Sequence, residues 1–492
     1  MSCFKQGLSP GWDGMMGVGR RDFLLGSGLA MAAGSALARQ AASAPTPAPK
    51  TPPASSPGPS ALPEYAKPAP PTSYPKPAPA TAYPKPGASL PPVDWTAVKA
   101  QFQTAPDEVN MSAMLITTHP LPVRRAIDQF RRELDWRPVT YLEDNNRRLQ
   151  SYSRAAAGRY LGVAGDQVAL TDSTTLGAAL VYGGLKLGYG DEIVTTNQDY
   201  YVTHESLRRA ALRNGSVVRR IDLFDSIETV SEAQIVARLM AAVTPRTRAF
   251  ALTWVHSSTG LKLPLPAISA ALAQVNAARQ DPERIILAVD GVHGFGAQDA
   301  TLASLGCDIF MAGCHKWLFG PRGTGVIAAN AVGWSRMRPS VPSYVDSAAW
   351  SAWINNAPLL ENNDGPLMSP GGFKAFEHLW AIPTAVEFHE KIGKAQVAAR
   401  TTELAEQLKA GLSLMPHVRL VTPRDPRLSA GIVSFDVQGL STDSAVAALR
   451  RRRIIASAAP YAIQHVRLTP SIMNSPAEVD LALAEVRNLA GA

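Results

Sequence analysis

From about residue 94 onward, short runs of consecutive apolar residues alternate with longer segments in which apolar residues recur at helical spacing. The runs have the length of strands that are buried on both faces. They lie at residues 167–171, 192–196, 249–254, 285–290 and 308–311. The helical segments lie at residues 176–188, 203–214, 231–243 and 266–280. This alternation predicts an α/β fold with a large, mostly parallel sheet sandwiched by helices.

The pattern changes near residue 373. Residues 373–392 have the spacing of one long linking helix, and residues 395–415 and 442–453 are also predicted to be helical. Residues 431–437 alternate between apolar and polar, which is typical of a strand with one exposed face. We therefore expect a smaller C-terminal α+β domain. Three parts are predicted from residue 94 onward. An N-terminal segment over 94–140 packs on the small domain and the cleft. A large domain follows over 141–372, and the linking helix with the small domain occupies 373–492.

The first 93 residues have a different character. Arg20-Arg21-Asp-Phe-Leu-Leu precedes a weakly apolar, Gly/Ala-rich stretch that ends at a small-residue cleavage site, Ala36-Leu37-Ala38. This pattern resembles a twin-arginine signal peptide over 1–38 and predicts export, by the twin-arginine machinery, to the periplasm or the exterior. The apolar stretch, about 16 residues, is too short and weak for a stable membrane span.

A proline-rich linker is predicted over residues 39–93. Residues 45–92 contain 18 of the 40 prolines, with a degenerate repeat of the type Tyr-Pro-Lys-Pro. Proline at this density prevents helix and sheet from propagating, so the segment is expected to be a disordered, semi-rigid spacer. A docking role for the repeats is the alternative.

Charge and cysteine content exclude two classes of protein. The net charge of +8 is concentrated in the first hundred residues, where nine lysines and arginines face four acidic residues. The body is nearly neutral and has no basic run with interleaved aromatic residues, so nucleic-acid binding is not indicated. Three cysteines, Cys3, Cys307 and Cys314, are too few for a disulfide scaffold.

Candidate chemistry follows three of the apolar runs, where ligands bind in parallel sheets. Thr174 and Thr175 open a helix after the first run, and hydroxyls with free N–H groups there suit a phosphate, although a plain helix cap is the alternative. Asp290 ends a fully apolar strand, where a carboxylate needs a cationic or hydrogen-bonding partner unless it only caps the turn. Lys316 follows another strand and precedes a Gly-rich turn. A lysine in a site of low polarity can form a Schiff base.

These three features together fit pyridoxal 5′-phosphate, which needs an anion cradle, a carboxylate for its pyridine nitrogen and a lysine. A metal site is a rival interpretation. Its ligands would be Cys307, Cys314, His293 and His315, but their spacing matches no metal-binding motif.

The order of these motifs resembles the class V aminotransferase family of fold-type I pyridoxal-phosphate enzymes, over roughly residues 105–488. Cys314-His-Lys-Trp-Leu318 with Gly320-Pro-Arg-Gly323 is most similar to the isopenicillin-N-epimerase-like branch. The resemblance implies that Lys316 carries the cofactor, that Asp290 pairs with the pyridinium nitrogen, and that Thr174 and Thr175 hold the phosphate with His315 nearby.

Further roles are implied by the same resemblance. Tyr201 would stack on the cofactor ring, Ser257 would contact the pyridine hydroxyl, and His293 would lie beside the cofactor. Arg467 would bind the substrate carboxylate, and the segment around Asn110 would touch the substrate cleft. The resemblance also implies a homodimer with each active site at the subunit interface.

The sequence departs from the family at the loop expected to reach a neighbouring subunit's phosphate, where Phe373 replaces a hydroxyl residue. Cysteine desulfurase chemistry needs a mobile cysteine after the lysine, and no cysteine follows Cys314. The expected function is catalysis at Cα of an amino acid or a related amine, by transamination or epimerisation. A C–S or C–C lyase and a non-catalytic ligand-binding protein are the alternatives. Epimerisation would need a second acid, for which Tyr200, His256 and His293 are candidates.

Overall fold

The computed structural model describes residues 92–281, 283–358 and 362–490. The predicted signal peptide, its cleavage site near Ala38 and all but the last two residues of the predicted linker lie outside these ranges. The chain begins, within them, with four elements: α1 (Trp95–Lys99), β1 (Val109–Asn110), α2 (Leu121–Trp136) and α3 (Pro138–Leu161). The domain boundary predicted at residues 140/141 falls in the first turn of α3.

One seven-stranded sheet forms the centre of the large domain. Its strands are β2 (Val168–Thr171), β3 (Glu192–Thr196), β4 (Val217–Ile221), β5 (Thr247–Thr253), β6 (Ile286–Asp290), β7 (Ile309–Gly313) and β8 (Gly325–Ala329). The strand order is β2-β8-β7-β6-β5-β3-β4, and the five strands from β7 to β4 are parallel. The prediction of a large, mostly parallel sheet is confirmed, with β4 and β8 added to the five predicted strands.

Helices cover both faces of this sheet. The helices of the large domain are α4 (Thr174–Gly184), α5 (Tyr201–Asn214), α6 (Glu232–Ala241), α7 (Leu265–Asn276), α8 (Leu302–Leu305), α9 (Ala331–Ser335), α10 (Ser347–Ile354) and α11 (Gly365–Met368), of which α10 has no buried residue. Successive residues of a strand point to opposite faces, so Phe250 and Leu252 enter one core cluster while Ala249 and Ala251 enter another. Both faces of the central strands are therefore buried, as their uninterrupted apolar runs predict.

The direction of β8 determines where the chemistry lies. β8 is antiparallel to both of its neighbours, β7 and β2, so β2 runs parallel to β7. The carboxyl ends of β2, β3, β5, β6 and β7 consequently meet at one edge of the sheet. Gly325 begins β8 at this edge, where a Cβ atom would lie 2.8 Å from Thr171 Oγ1 and 3.0 Å from Ala312 O. The missing side chain lets three strand ends approach closely.

The linking region differs from the prediction of one helix over 373–392. It contains two helices, α12 (Phe376–Leu379) and α13 (Ile382–Ile392). Pro383 is the second residue of α13. A continuous helix would require Pro383 to donate an N–H group to the carbonyl of Leu379, and proline has none. Proline is tolerated in the first turn of a helix, so the chain restarts there.

The small domain, residues 394–490, is built on a four-stranded antiparallel sheet of order β12-β13-β10-β9. Its elements are α14 (Lys394–Ser413), β9 (Val418–Leu420), β10 (Val433–Val437), α15 (Thr442–Arg451), β11 (Ile454–Ile455), β12 (Ser457–Ala458), β13 (Val466–Leu468) and α16 (Pro476–Arg487). The N-terminal segment joins this domain through β1, which pairs in parallel with β11. Within the described ranges, no helix combines the length and the apolar character needed to cross a membrane.

Candidate active site

Asp290 and Lys316 reach the same edge of the sheet from adjacent parallel strands. Asp290 is the last residue of β6, and Lys316 lies three residues beyond the end of β7. The backbone around Lys316 is fixed from outside, because Thr117 Oγ1 lies 3.0 Å from the carbonyl oxygens of both His315 and Lys316 and donates to them. Thr117 belongs to the N-terminal segment, and nothing in its sequence context indicates this role.

Asp290 is a buried carboxylate without an ion pair among the described residues. Only 4% of it is exposed, and its Oδ1 accepts a hydrogen bond of 3.1 Å from the N–H group of Val292. Burial raises the pKa of Asp290 to about 6, although the Val292 N–H group and the charge of Lys316 act in the opposite direction. A protonated pyridine nitrogen is the kind of partner that this carboxylate lacks.

Lys316 has the reactivity that a cofactor-binding lysine needs. Burial lowers the pKa of its ammonium group to about 8, with Asp290 opposing that shift and Arg467 adding to it. About a tenth of the side chain is therefore neutral at pH 7, far more than for an ordinary lysine, and the neutral amine is the form that attacks an aldehyde.

The start of α4 forms a cradle beside Lys316. Ser173 caps the helix, because its Oγ accepts the N–H group of Leu176 at 3.1 Å. Thr174 Oγ1 accepts the N–H group of Gly313 at 2.8 Å, which ties the helix to the end of β7. A Cβ atom on Gly313 would lie 3.0 Å from both Thr174 Oγ1 and His315 Cε1. The first N–H groups of the helix, including that of Thr175, are thus left to bind an anion between these side chains.

The two histidines near Lys316 are held neutral. Burial, followed by the charge of Lys316, lowers the pKa of His293 well below its usual value and that of His315 to about 4. His293 Nδ1 accepts a hydrogen bond of 3.4 Å from Trp317 Nε1. His256 is completely buried, with its Nε2 3.9 Å from Asp199 Oδ1. His256 thus faces Asp199, whereas the surroundings of His293 and His315 include Lys316.

Arg467 enters the site from β13 of the small domain and is only 1% exposed. Its guanidinium donates to three neutral oxygens: Ser457 Oγ at 3.2 Å, Ser257 O at 2.8 Å and Ala458 O at 2.6 Å. No acidic side chain of the described residues pairs with it. Two of the five guanidinium N–H groups therefore remain for an anionic ligand.

Ser257 connects the two domains. It follows β5 and is buried, its carbonyl accepts from Arg467, and its Oγ lies 2.8 Å from the hydroxyl of Tyr461. The Tyr461 ring contacts Tyr200, with ring centroids 5.9 Å apart. Tyr461 was missed from the sequence, where it appears only as a tyrosine in a turn after proline.

Tyr201, which the family resemblance assigns to the stacking ring, lies at an exposed position in the structure. The Tyr201 side chain begins α5 and is 66% exposed, because the helix start turns it toward solvent. Tyr200, one residue earlier, is half-buried and faces Tyr461. Tyr200 is therefore the aromatic residue that the structure brings to the site.

Asn110 is anchored near the site by its backbone. Its Oδ1 accepts the N–H group of Ser112 at 2.9 Å, and its carbonyl accepts from Asn474 Nδ2 at 3.1 Å. The amide oxygen is thus engaged in a turn of its own segment, and no described contact joins it to Lys316, Asp290 or Arg467.

The described residues also contain no group of three histidine, cysteine, aspartate or glutamate side chains able to hold a metal ion.

Comparison with known proteins identifies the family. A model described as Aminotransferase class-V matches residues 124–467. The chain belongs to the aminotransferase class-V family. It is 28% identical over 350 residues to isopenicillin N epimerase of Streptomyces clavuligerus, covering 70% of this chain and 84% of the relative. It is 22% identical over 345 residues to a probable cysteine desulfurase of Methanothermobacter thermautotrophicus, covering 68% and 79%.

Several solved structures share the fold. A mutant of the cystine C–S lyase C-DES, with glycine covalently linked to its pyridoxal-phosphate cofactor, superposes with a TM-score of 0.71 at 21% identity and covers 79% of this chain and 99% of its own. Apo cysteine desulfurase from Thermococcus onnurineus gives 0.69 at 19% identity, covering 80% and 97%. The predictions of a fold-type I architecture and of pyridoxal phosphate as the cofactor of this class V chain are confirmed.

The raised pKa of Asp290 predicts a stability change with pH in the cofactor-free protein. The folded state binds more protons than the unfolded state between about pH 4 and 6, so this carboxylate's contribution to stability is present at low pH and is lost as the pH rises through 6. Asp290→Asn removes the buried charge. At pH 7.5 we expect the cofactor-free variant to be more stable than the wild type by about 3 kcal/mol, and at pH 5 by about half as much. Urea denaturation at pH 7.5 and at pH 5 measures this difference in the free energy of unfolding.

Asp436 supplies a matched control with the opposite sign. Burial alone would raise its pKa, but hydrogen bonds from His465 and Arg419 hold the pKa below its usual value. Asp436→Asn is therefore expected to destabilise the protein at pH 7.5. A stabilisation by Asp290→Asn that is equally large at pH 5 and 7.5 would show that the gain does not come from the buried charge.

Proposed function

We propose that this protein uses pyridoxal phosphate at Lys316 to remove the Cα proton of an amino acid, or of a similar amine that carries a carboxylate, and so to transaminate or epimerise it. The observation that carries the proposal is Arg467. A fully buried guanidinium with neutral partners and two free N–H groups lies in the same site as Lys316 and Asp290. A substrate carboxylate would supply the anion that Arg467 lacks, in bidentate geometry.

Each residue then has a defined task. The bound cofactor supplies an electron-withdrawing ring that weakens the Cα–H bond of an attached amine. Asp290 would stabilise the proton on the ring nitrogen, and the start of α4 with Thr174 and Thr175 would hold the phosphate. Arg467 orients the substrate by its carboxylate. The neutral amine of Lys316 would accept the Cα proton.

Epimerisation is supported by the similarity to isopenicillin N epimerases, of which the Amycolatopsis lactamdurans enzyme is also 28% identical, over 355 residues. Protein-persulfide chemistry, as in cysteine desulfurases, lacks a suitable thiol among the described residues. Both described cysteines are buried, and burial raises the pKa of Cys314 to about 12 and also raises that of Cys307. A small-molecule C–S lyase needs no such thiol and is the second candidate.

A substrate screen separates these reactions. Purified protein loaded with cofactor is incubated with a panel of L- and D-amino acids, and three products are followed in parallel: keto acid, loss of optical purity, and sulfide or ammonia. Keto acid indicates transamination, racemised amino acid indicates epimerisation, and sulfide indicates the lyase. A protein that binds these amines but forms none of the products would instead be the non-catalytic ligand-binding alternative.

The role of Arg467 predicts a selective loss of activity. Arg467→Lys keeps the charge but loses the bidentate geometry, so kcat/KM for carboxylate substrates is expected to fall about 10- to 100-fold, the effect of a lost charge-assisted hydrogen bond. Cofactor absorbance is expected to persist. The matched measurement uses amines that lack a carboxylate. An equal loss on both kinds of amine would remove the carboxylate-binding role from Arg467.

We also propose that the enzyme is a homodimer. A cluster of exposed apolar side chains, which we call the apolar surface, consists of Tyr344, Trp350, Trp353, Ile354 and Phe373, with exposures of 61%, 48%, 73%, 70% and 82%. The helix α10, which carries both tryptophans, has no buried residue. The segment before α10 is tied to the loop of Phe373, because Gly371 N–H donates to Pro342 O at 2.7 Å. Apolar surface of this kind is typical of a subunit interface.

Introducing two charges into the apolar surface tests the dimer. Trp350→Glu combined with Trp353→Glu would place two carboxylates in the interface and is expected to give monomers, as measured by light scattering. Leu414→Glu is the matched control, since Leu414 is 82% exposed and lies outside the apolar surface. A double variant that keeps the molecular mass of the wild type would contradict this interface.

A further inference from the structure

One side chain of the small domain reaches into the large domain and has no task in the function proposed above. Tyr461 lies in residues 459–465, which connect β12 to β13, and the base of this connection is closed by a hydrogen bond of 2.9 Å from Ala459 N–H to His465 O. Ile463, in the same loop, is 71% exposed. Tyr461 points the other way, toward Ser257 and Tyr200 of the large domain.

The order of the strands indicates which part of the cofactor Ser257 faces. Across the sheet, the phosphate cradle follows β2, Lys316 follows β7, Asp290 ends β6 and Ser257 follows β5. On the pyridine ring of pyridoxal phosphate, the ring oxygen and the phosphate arm flank the aldehyde carbon on opposite sides. A ring that has its phosphate toward β2 and its nitrogen at Asp290 therefore turns its oxygen toward β5.

We propose that Tyr461 is a positioning residue for the cofactor: its hydroxyl donates to Ser257 Oγ and thereby leaves the hydrogen of Ser257 free to donate to the ring oxygen of pyridoxal phosphate. The two hydroxyl oxygens are 2.8 Å apart. The phenol is the more acidic partner, and it keeps its proton because burial raises the pKa of Tyr461. Consecutive hydrogen bonds in one direction polarise and strengthen one another.

The consequence is a changed proton affinity at the lysine nitrogen. A hydrogen bond donated to the ring oxygen stabilises the negative charge there and weakens its hold on the proton shared with the nitrogen of Lys316. Without Tyr461, that nitrogen should keep its proton to higher pH. The inference rests on the proposed function, since it requires the cofactor to be bound to Lys316.

The test follows the visible absorbance of the cofactor-loaded protein as a function of pH. For Tyr461→Phe we expect the midpoint of the absorbance change with pH to rise by about 0.3 pH unit, because Ser257 keeps its hydrogen bond to the ring oxygen but loses the donor that polarises it. The dissociation constant of the cofactor, measured by titrating the cofactor-free protein, should rise about twofold. Tyr189→Phe is the matched control, because Tyr189 is 94% exposed and is expected to leave both values unchanged.

Ser257→Ala removes the other partner of the hydrogen bond with Tyr461. It should move the midpoint of the absorbance change with pH in the same direction. Because Tyr461 acts through Ser257, adding Tyr461→Phe to Ser257→Ala should cause little further shift. A Tyr461→Phe midpoint equal to that of the wild type, or an unchanged shift in the Ser257→Ala background, would overturn the role of Tyr461 alone. A wild-type protein with no visible band would instead overturn the proposed function and this inference with it.

Discussion

The interaction on which the site depends is the one between the buried carboxylate of Asp290 and the charge of Lys316. Each group opposes the effect of burial on the other: Lys316 lowers the pKa of Asp290, and Asp290 raises the pKa of Lys316. Burial is the larger effect in both cases, so both groups are poised to change protonation near neutral pH. The parallel strands β6 and β7 create this situation by ending at the same edge of the sheet. A site of this kind costs folding free energy and is retained for its chemistry.

The second constraint is that the site is completed from outside the large domain. Arg467 and Tyr461 of the small domain both bind Ser257, one at its carbonyl and the other at its hydroxyl. Thr117 of the N-terminal segment fixes the backbone of the lysine loop. The position of the small domain is thus linked to the residue that we place against the cofactor, so relative movement of the domains would alter substrate binding and cofactor contacts together.

The sequence was sufficient for the parts of the fold that depend on local pattern. The five predicted apolar runs became strands, and Asp290 and Lys316 could be selected because a charged residue at the end of an apolar strand is costly without a partner. β8 was not predicted, since the short run Gly-Val-Ile-Ala-Ala follows a Gly-rich turn and has no helix before it. The break before Pro383 was missed because the apolar spacing continues across it.

Two features of the site lay beyond sequence reasoning. Neighbouring tyrosines at the start of a helix cannot be distinguished by pattern, and only the helix geometry shows that Tyr200 points inward while Tyr201 is exposed. The role of Tyr461 depends on its contact with Ser257, which lies 204 positions away in the sequence. A local sequence pattern cannot show such a contact.

The most direct test of the account is to identify the lysine that binds the cofactor. The protein is loaded with pyridoxal phosphate, reduced with borohydride, digested and analysed by mass spectrometry. The label is expected on the peptide that contains Lys316. Label on another lysine, such as Lys374, whose Nζ lies 3.9 Å from Asp172 Oδ1 near the start of α4, or the absence of any reducible chromophore, would contradict it.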